Sequence, residues 1–293
     1  MKTKKSRNPI TKYLTSALKY LTTIMPALLW MVIFFVIPLI FIVVVSFSTR
    51  GDVGNIVYKF TFSNYIKLLN PLYINIFIKS ILIAIYTTIL CLIIGYPFAF
   101  IIATSPKKYK PIFLLLIILP FWTNSLVRTY AMIVLLRTEG IINTLLLHLH
   151  IINAPLNLMY NNTAVMIGML YMMFPFMVLP LYTSLEKLDK RILDAASDLG
   201  AGPVNKFLKI TLPLTKGGII SGCILVFIPT LGLFFVTDLM GGSKVILMSN
   251  LIKNQFLTAR DWPFGSAISV VLIIIMLSVI TFNSKASGTK GML

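Results

Sequence analysis

Acidic residues are scarce: eight Asp and Glu stand against 26 Lys and Arg in 293 residues, and charged residues of every kind make up only 12%. Hydrophobic residues reach 58%, with a mean hydropathy of +0.92. A chain this poor in charge cannot cover a water-facing surface, so a soluble globule is excluded. Only two histidines and two cysteines occur. His148 and His150 are two residues apart and so do not share a helix face, and no HExxH pattern exists for zinc. Cys91 and Cys223 both fall inside apolar runs, which supports buried inert thiols and neither a disulfide framework nor a cysteine metal site.

Nucleophile and nucleotide motifs are missing as well. No G-x-S-x-G turn occurs, and Ser221 follows Ile219 and Ile220 where glycine would be needed. An intramembrane aspartyl protease needs paired acids in apolar helices, and here only Asp238 lies in an apolar span. No Walker A loop is present. The expectation is a chain with no catalytic residues, no metal and no cofactor, in which any ATP-driven work comes from a partner.

Long apolar runs are abundant. A hydrocarbon core of about 30 Å needs about 20 helical residues, and six stretches meet that length: 24–46, 76–103, 112–136, 163–185, 217–239 and 264–283. The expected fold is therefore all-α, a polytopic membrane protein with six transmembrane helices. It divides into a basic N-terminal tail over 1–22, a six-helix domain over 23–283 and a tail over 284–293. The basic start resembles that of a signal peptide, but the apolar run behind it is too long and no small-x-small cleavage site follows, so the first helix is read as uncleaved.

The positive charge could suggest nucleic acid, yet the cations sit between apolar runs and not on one face, which argues against that partner. Counted in alternate connections, seventeen lie on one side and seven on the other, with Lys79 and Arg128 inside spans. The richer side is expected to be cytoplasmic, which places both termini there in a bacterial inner membrane. Prolines 38, 97, 120, 175, 180 and 229 lie inside spans. Each removes an amide donor, which is tolerated where packed helices or a wet cavity satisfy the freed carbonyl.

The longest cytoplasmic connection, about 186–216, is neither a plain linker nor a charged tail. Leu185, Leu188, Ile192, Ala195 and Leu199 recur at helical spacing and form one apolar stripe. Gly200 can end that helix in a left-handed cap, and Gly202 with Pro203 can start another, on which Val204, Phe207, Leu208 and Leu212 continue the stripe. Such an elbow, with small Ala195 and Ala196, suits either docking to a protein partner or resting on lipid headgroups through Lys190, Arg191, Lys206 and Lys209.

The series Asp194, Ala195, Ala196, then Gly200, Ile210, Leu212 and Pro213, resembles the EAA loop of ABC importer permeases at every offset. Asp194 stands where that family usually has Glu, a shortening that keeps the charge. Five further segments, Gly95–Phe100, Leu119–Arg128, Leu185–Asp189, Thr237–Gly242 and Arg260–Gly265, are similar to the spermidine/putrescine permeases of these importers. The resemblance implies a type I importer permease fold and a non-catalytic subunit. It also implies a coupling helix seated on the ATPase, with the seven loop residues as contacts. Its partners would be a second homologous permease, two copies of a cytoplasmic ATPase, an extracytoplasmic polyamine-binding protein, the polyamine itself and membrane lipid.

Three residues are candidates for the substrate pathway. Trp122, about ten residues into the third span, and Tyr171, eight into the fourth, would offer aromatic faces to ammonium groups; the competing reading makes both packing or interface rings. Asp238, the only acid in a span, falls about 31 Å along the fifth helix, at the outer mouth. There it can be solvated at the boundary, pair with Arg128, or meet the polycation, and Gly241 and Gly242 beyond it can let the loop move or simply turn it. The alternatives to a polyamine permease are an importer permease for another small cation, or a channel or proton-coupled transporter. The latter usually carries acids in several spans.

Overall fold

The structure, a computed structural model, describes residues 24–52 and 54–286. The basic tail over 1–22 and the last seven residues lie outside the described residues. Among the described residues the only strands are one short antiparallel pair, β1 (Thr49–Arg50) with β2 (Ile56–Val57), in the first loop.

The first span, α1 (Ile24–Ser46), is the most apolar helix, and its side chains up to Phe41 are largely exposed, as suits a lipid-facing rod. Behind β2, α2 (Ser63–Leu68) is held to the end of α1 by Asn64, whose Nδ2 donates to the carbonyls of Ser46 and Ser48. The second span is longer than the apolar run suggests: α3 covers Pro71–Thr104, with Asn70 as its cap accepting from the Leu72 amide and Pro71 at the first turn.

The third stretch departs most from expectation. The run over 112–136 is not one rod. The helix α4 (Lys110–Ile118) tightens into a 3₁₀ turn at Leu119–Trp122 because Pro120 has no amide to donate, and Thr123 and Asn124 are extended. Asn124 then caps α5 (Ser125–Leu136). The length able to cross a membrane is Ser125–His148, which includes α6 (Ile141–His148), a helix in what the sequence presents as a loop.

The helix α7 (Asn162–Glu186) carries the core, with Met169, Met177, Val178 and Leu181 fully buried between α3 and α10. The elbow follows as α8 (Lys190–Asp198) and α9 (Pro203–Leu214), and α9 meets α10 (Lys216–Gly232) at a 65° bend. Five helices are long and apolar enough to cross a membrane, and α9 with α10 makes a sixth when the bent pair is counted as one span. The fifth span also ends early. Instead of running to 239, α10 stops at Gly232, Leu233 leaves the helical region, and α11 (234–241) follows as a short turn and a π turn over Thr237–Gly241. Pro229 itself stays within α10. A further helix, α12 (Met248–Leu257), fills the fifth loop, and α13 (Trp262–Ala286) forms the last span and runs beyond the predicted boundary at 283.

Packing of α10 on α7 depends on small residues. Gly218 and Gly222 lie one turn apart. A Cβ on Gly218 would stand 2.5 Å from Ser184 Cβ and 2.8 Å from the Pro180 carbonyl oxygen, so only glycine permits this approach. In lipid, where no hydrophobic force draws helices together, such close contact supplies the association.

Candidate coupling elbow and outer cluster

The elbow forms as its residues dictate. Asp189 caps α8 by accepting from the Arg191 amide, and Gly200 takes φ +80°, the left-handed region where only glycine rests without strain. Its amide donates to the Ser197 carbonyl and that of Ala201 to Ala196, a Schellman closure. Gly202 then caps α9 with Pro203 in first position. Lys206 Nζ donates to Ser197 Oγ at 2.9 Å and ties the two helices together.

The predicted stripe is divided: Leu185 is buried on α7 and Leu188 is half-buried in the turn before α8, while the part on α8 and the start of α9 is uncovered. Ile192, Ala195, Val204 and Leu208 are exposed, Leu199 is 88% exposed, and Ala196 alone is buried on α8. Asp194, Gly200 and Pro213 are exposed, while Ile210 and Leu212 are partly buried on α9. Beyond Leu214 the elbow is anchored to the transmembrane core. Thr215, at the bend, shares a buried 2.8 Å hydrogen bond between its Oγ1 and the Tyr96 hydroxyl of α3, and the Tyr96 ring meets Phe207 edge to face. Lys110 and Glu186 pair at 2.6 Å, joining the start of α4 to the end of α7.

The pathway candidates are dispersed. Trp122 lies on the 3₁₀ turn at the break and not in mid-helix, with its indole 78% exposed. Tyr171 is on α7 and is 37% exposed. Both residues lie at this chain's surface. Asp238 lies on the π turn of α11 and does not pair with Arg128. Its Oδ2 pairs with Lys253 Nζ and its Oδ1 accepts from Asn250 Nδ2. Arg128 is instead buried with its guanidinium 5.3 Å from the Phe121 ring and its Nε without a partner. The break at Leu233 explains the difference: it turns Asp238 off the axis of α10 and toward α12.

Asn250 is fully used. It donates to the Phe234 carbonyl at 3.0 Å and accepts from the Leu247 amide at 3.1 Å, besides its bond to Asp238. Lys253 also lies 5.9 Å from the Phe234 ring. None of Asn250, Lys253, Phe234, Tyr96 or Thr215 is singled out by sequence reasoning. The spacing of Asn250 and Lys253, three apart and so on one helix face, is the signal that could have found the first pair. Among the described residues no group of His, Cys, Asp or Glu is placed to hold a metal.

A mainly helical chain with five or six candidate spans and a two-helix elbow before α10 has the make-up of a transmembrane transport subunit. The chain belongs to the family of binding-protein-dependent transport system inner membrane components, which matches residues 95–286. It is therefore a multi-pass inner-membrane protein. It is 49% identical over 258 residues to the spermidine/putrescine transport system permease protein PotB of Escherichia coli, spanning 88% of this chain and 94% of that one. To the PotB of Haemophilus influenzae it is 46% identical, over 88% and 90% of the two chains. Its fold is similar to a chain of a bacterial alginate ABC transporter solved with an alginate-bound periplasmic protein. The TM-score is 0.79 at 14% identity, covering 97% and 100%. That likeness carries the type I permease fold.

Proposed function

We propose that the chain is the permease subunit of an ATP-driven importer of the polyamines spermidine and putrescine, and forms half of the translocation pathway. The observation that carries this reading is near-half identity, over nearly nine-tenths of the chain, to permeases named for those substrates. The elbow seats on a cytoplasmic ATPase through Asp194, Ala195, Ala196, Gly200, Ile210, Leu212 and Pro213. Its exposed stripe supports docking, because an apolar face left bare on a folded chain is stabilised by a partner. The complete importer contains a second homologous permease, two ATPase copies and an extracytoplasmic polyamine-binding protein. Both termini lie in the cytoplasm, as the cation distribution favours. Trp122 and Tyr171 line the pathway, where aromatic faces attract ammonium groups by about 0.5–2 kcal/mol without trapping them, and Asp238 meets the cation at the outer mouth.

The test is uptake of radiolabelled spermidine into proteoliposomes containing both permeases, the ATPase and the binding protein. Uptake that requires ATP and is lost in Ala195→Trp, with the protein still inserted, supports the reading. ATP-independent flux, or full coupling in that variant, overturns it.

A further inference from the structure

The carboxylate proposed to receive substrate is already occupied, and by an ammonium. Lys253 Nζ sits on Asp238 Oδ2, near the Phe234 ring, with Asn250 fixing the second carboxylate oxygen and the Phe234 carbonyl. A carboxylate, an aromatic face and an amide that holds both in register form a set suited to a primary alkylammonium. The side chains of Lys253 and Asp238 keep 29% and 33% of their surface. The pair therefore lies at this chain's surface and is not sealed inside it. The chemistry of the occupant also matters. A lysine side chain is four methylenes ending in an ammonium, the same unit as one end of putrescine.

We infer that Phe234, Asp238 and Asn250 form a primary-ammonium site that Lys253 fills in the resting chain, and that an arriving polyamine ammonium enters by displacing Lys253. The proposal rests on the polyamine reading above. Lys253 acts as a tethered competitor. Its effective concentration is high because α12 is fixed against α11, so a single weak monocation in solution does not dislodge it. A di- or triammonium competes better, since its other charges remain attracted to the mouth as one exchanges. The site thereby stays neutral without substrate.

A plain strut between α11 and α12 gives the opposite sign in one comparison. In the assembled transporter, uptake is measured against the concentration of polyamine-loaded binding protein for the parent, Lys253→Gln and Lys253→Arg. Exchange predicts that Gln lowers the half-maximal concentration several-fold, because the competitor is gone, while Arg, which grips a carboxylate with a fork, raises it. A strut predicts that Gln impairs uptake and Arg restores it, and that result overturns the exchange. A second measurement leaves the protein unaltered. Acetylation of Lys253 by an externally added reagent, read by peptide mass spectrometry with Lys244 as reference, rises several-fold with loaded binding protein and not with empty protein. Equal labelling in both states overturns the exchange alone. A parent transporter that takes up no polyamine overturns the substrate reading and the exchange with it.

Discussion

Replacing Gly200 with valine isolates the elbow's shape from its contacts. At φ +80° a Cβ on this residue meets nothing within 4 Å, so the cost is conformational and not steric. A left-handed backbone costs a residue with a Cβ about 1–2 kcal/mol, and β-branching places valine at the upper end. Relief requires opening the Schellman closure, the bonds from the Gly200 and Ala201 amides to Ser197 and Ala196, which changes the angle between α8 and α9. A shift of this size reduces the population of the native elbow by about 5–30-fold relative to opened forms. Because Gly200 is exposed and remote from the α3–α7–α10 core, insertion and thermal stability in detergent stay near those of the parent. The assay is ATPase stimulation by loaded binding protein in proteoliposomes, with uptake measured in parallel. Both fall several-fold in Gly200→Val and less in Gly200→Asn, since asparagine tolerates this region. Full stimulation in Gly200→Val refutes the claim that the left-handed cap sets the docking geometry.

Four other outcomes are expected. Gly218→Leu forces α10 away from Ser184 and the Pro180 carbonyl, so folded protein in the membrane drops sharply, as fluorescence size-exclusion of a tagged chain will show. Tyr96→Phe removes one buried hydrogen bond to Thr215, whose hydroxyl still donates to the Thr211 carbonyl, and lowers stability by about 0.5–1.5 kcal/mol, visible as an earlier melting transition in detergent. Trp122→Ala and Tyr171→Ala each slow uptake at subsaturating substrate while leaving membrane expression intact; unchanged uptake makes both rings packing residues. Asp238→Asn lowers uptake and Asp238→Glu largely restores it, and added salt weakens the parent's attraction at a wet mouth.

Legibility of the chain varied with how local the determining physics is. The elbow's turn was readable because Gly200 and Pro203 each act on the backbone within one turn, and the structure places turn and restart there; its start was not, because the stripe reads on from Leu185 while Asp189 caps a separate helix. The apolar runs announced six spans. They hid the breaks, because hydropathy is blind to direction: Leu119–Trp122 is as apolar as the helix before it, and Leu233 is as apolar as its neighbours. Pro120 marked the first break, while Pro229 pointed four residues short of the second. The outer ion pair failed for a related reason. Rise per residue placed Asp238 and Arg128 at similar depths, but a straight-helix count cannot follow the turn at Leu233 that hands Asp238 to Lys253. Side-chain partners across 12 or 15 residues depend on that turn, and no periodicity encodes them.

The two ends of the proposed transport cycle lie on one uninterrupted stretch of chain. From Pro203 to Leu257 the backbone carries the second elbow helix, the bend at Thr215, the rod α10 seated on α7, the break at Leu233, the turn bearing Asp238 and the helix bearing Lys253. The middle of this stretch is rigid, because Gly218 and Gly222 bring α10 too close to α7 for it to slide or roll without clashes. Its two ends are not helical: Thr215 has φ −94° and ψ 6°, and Leu233 has φ −78° and ψ 70°. Departures of this kind absorb rotation at element ends, where hinges form. On the proposed coupling, a movement of the elbow would pass through Thr215 to this rod and its neighbour α7, and reach Asp238 through Leu233. Tyr96 sets the stiffness of the first hinge by its bond to Thr215, and Asn250 that of the second by holding the Phe234 carbonyl and the Asp238 carboxylate together. Loosening the outer hinge with Asn250→Ala, which also frees the Leu247 amide at the start of α12, raises polyamine leak into proteoliposomes lacking ATP when leak is counted per folded transporter. Leak equal to that of the parent would show that the Leu233 break is fixed by packing and takes no part in opening the mouth.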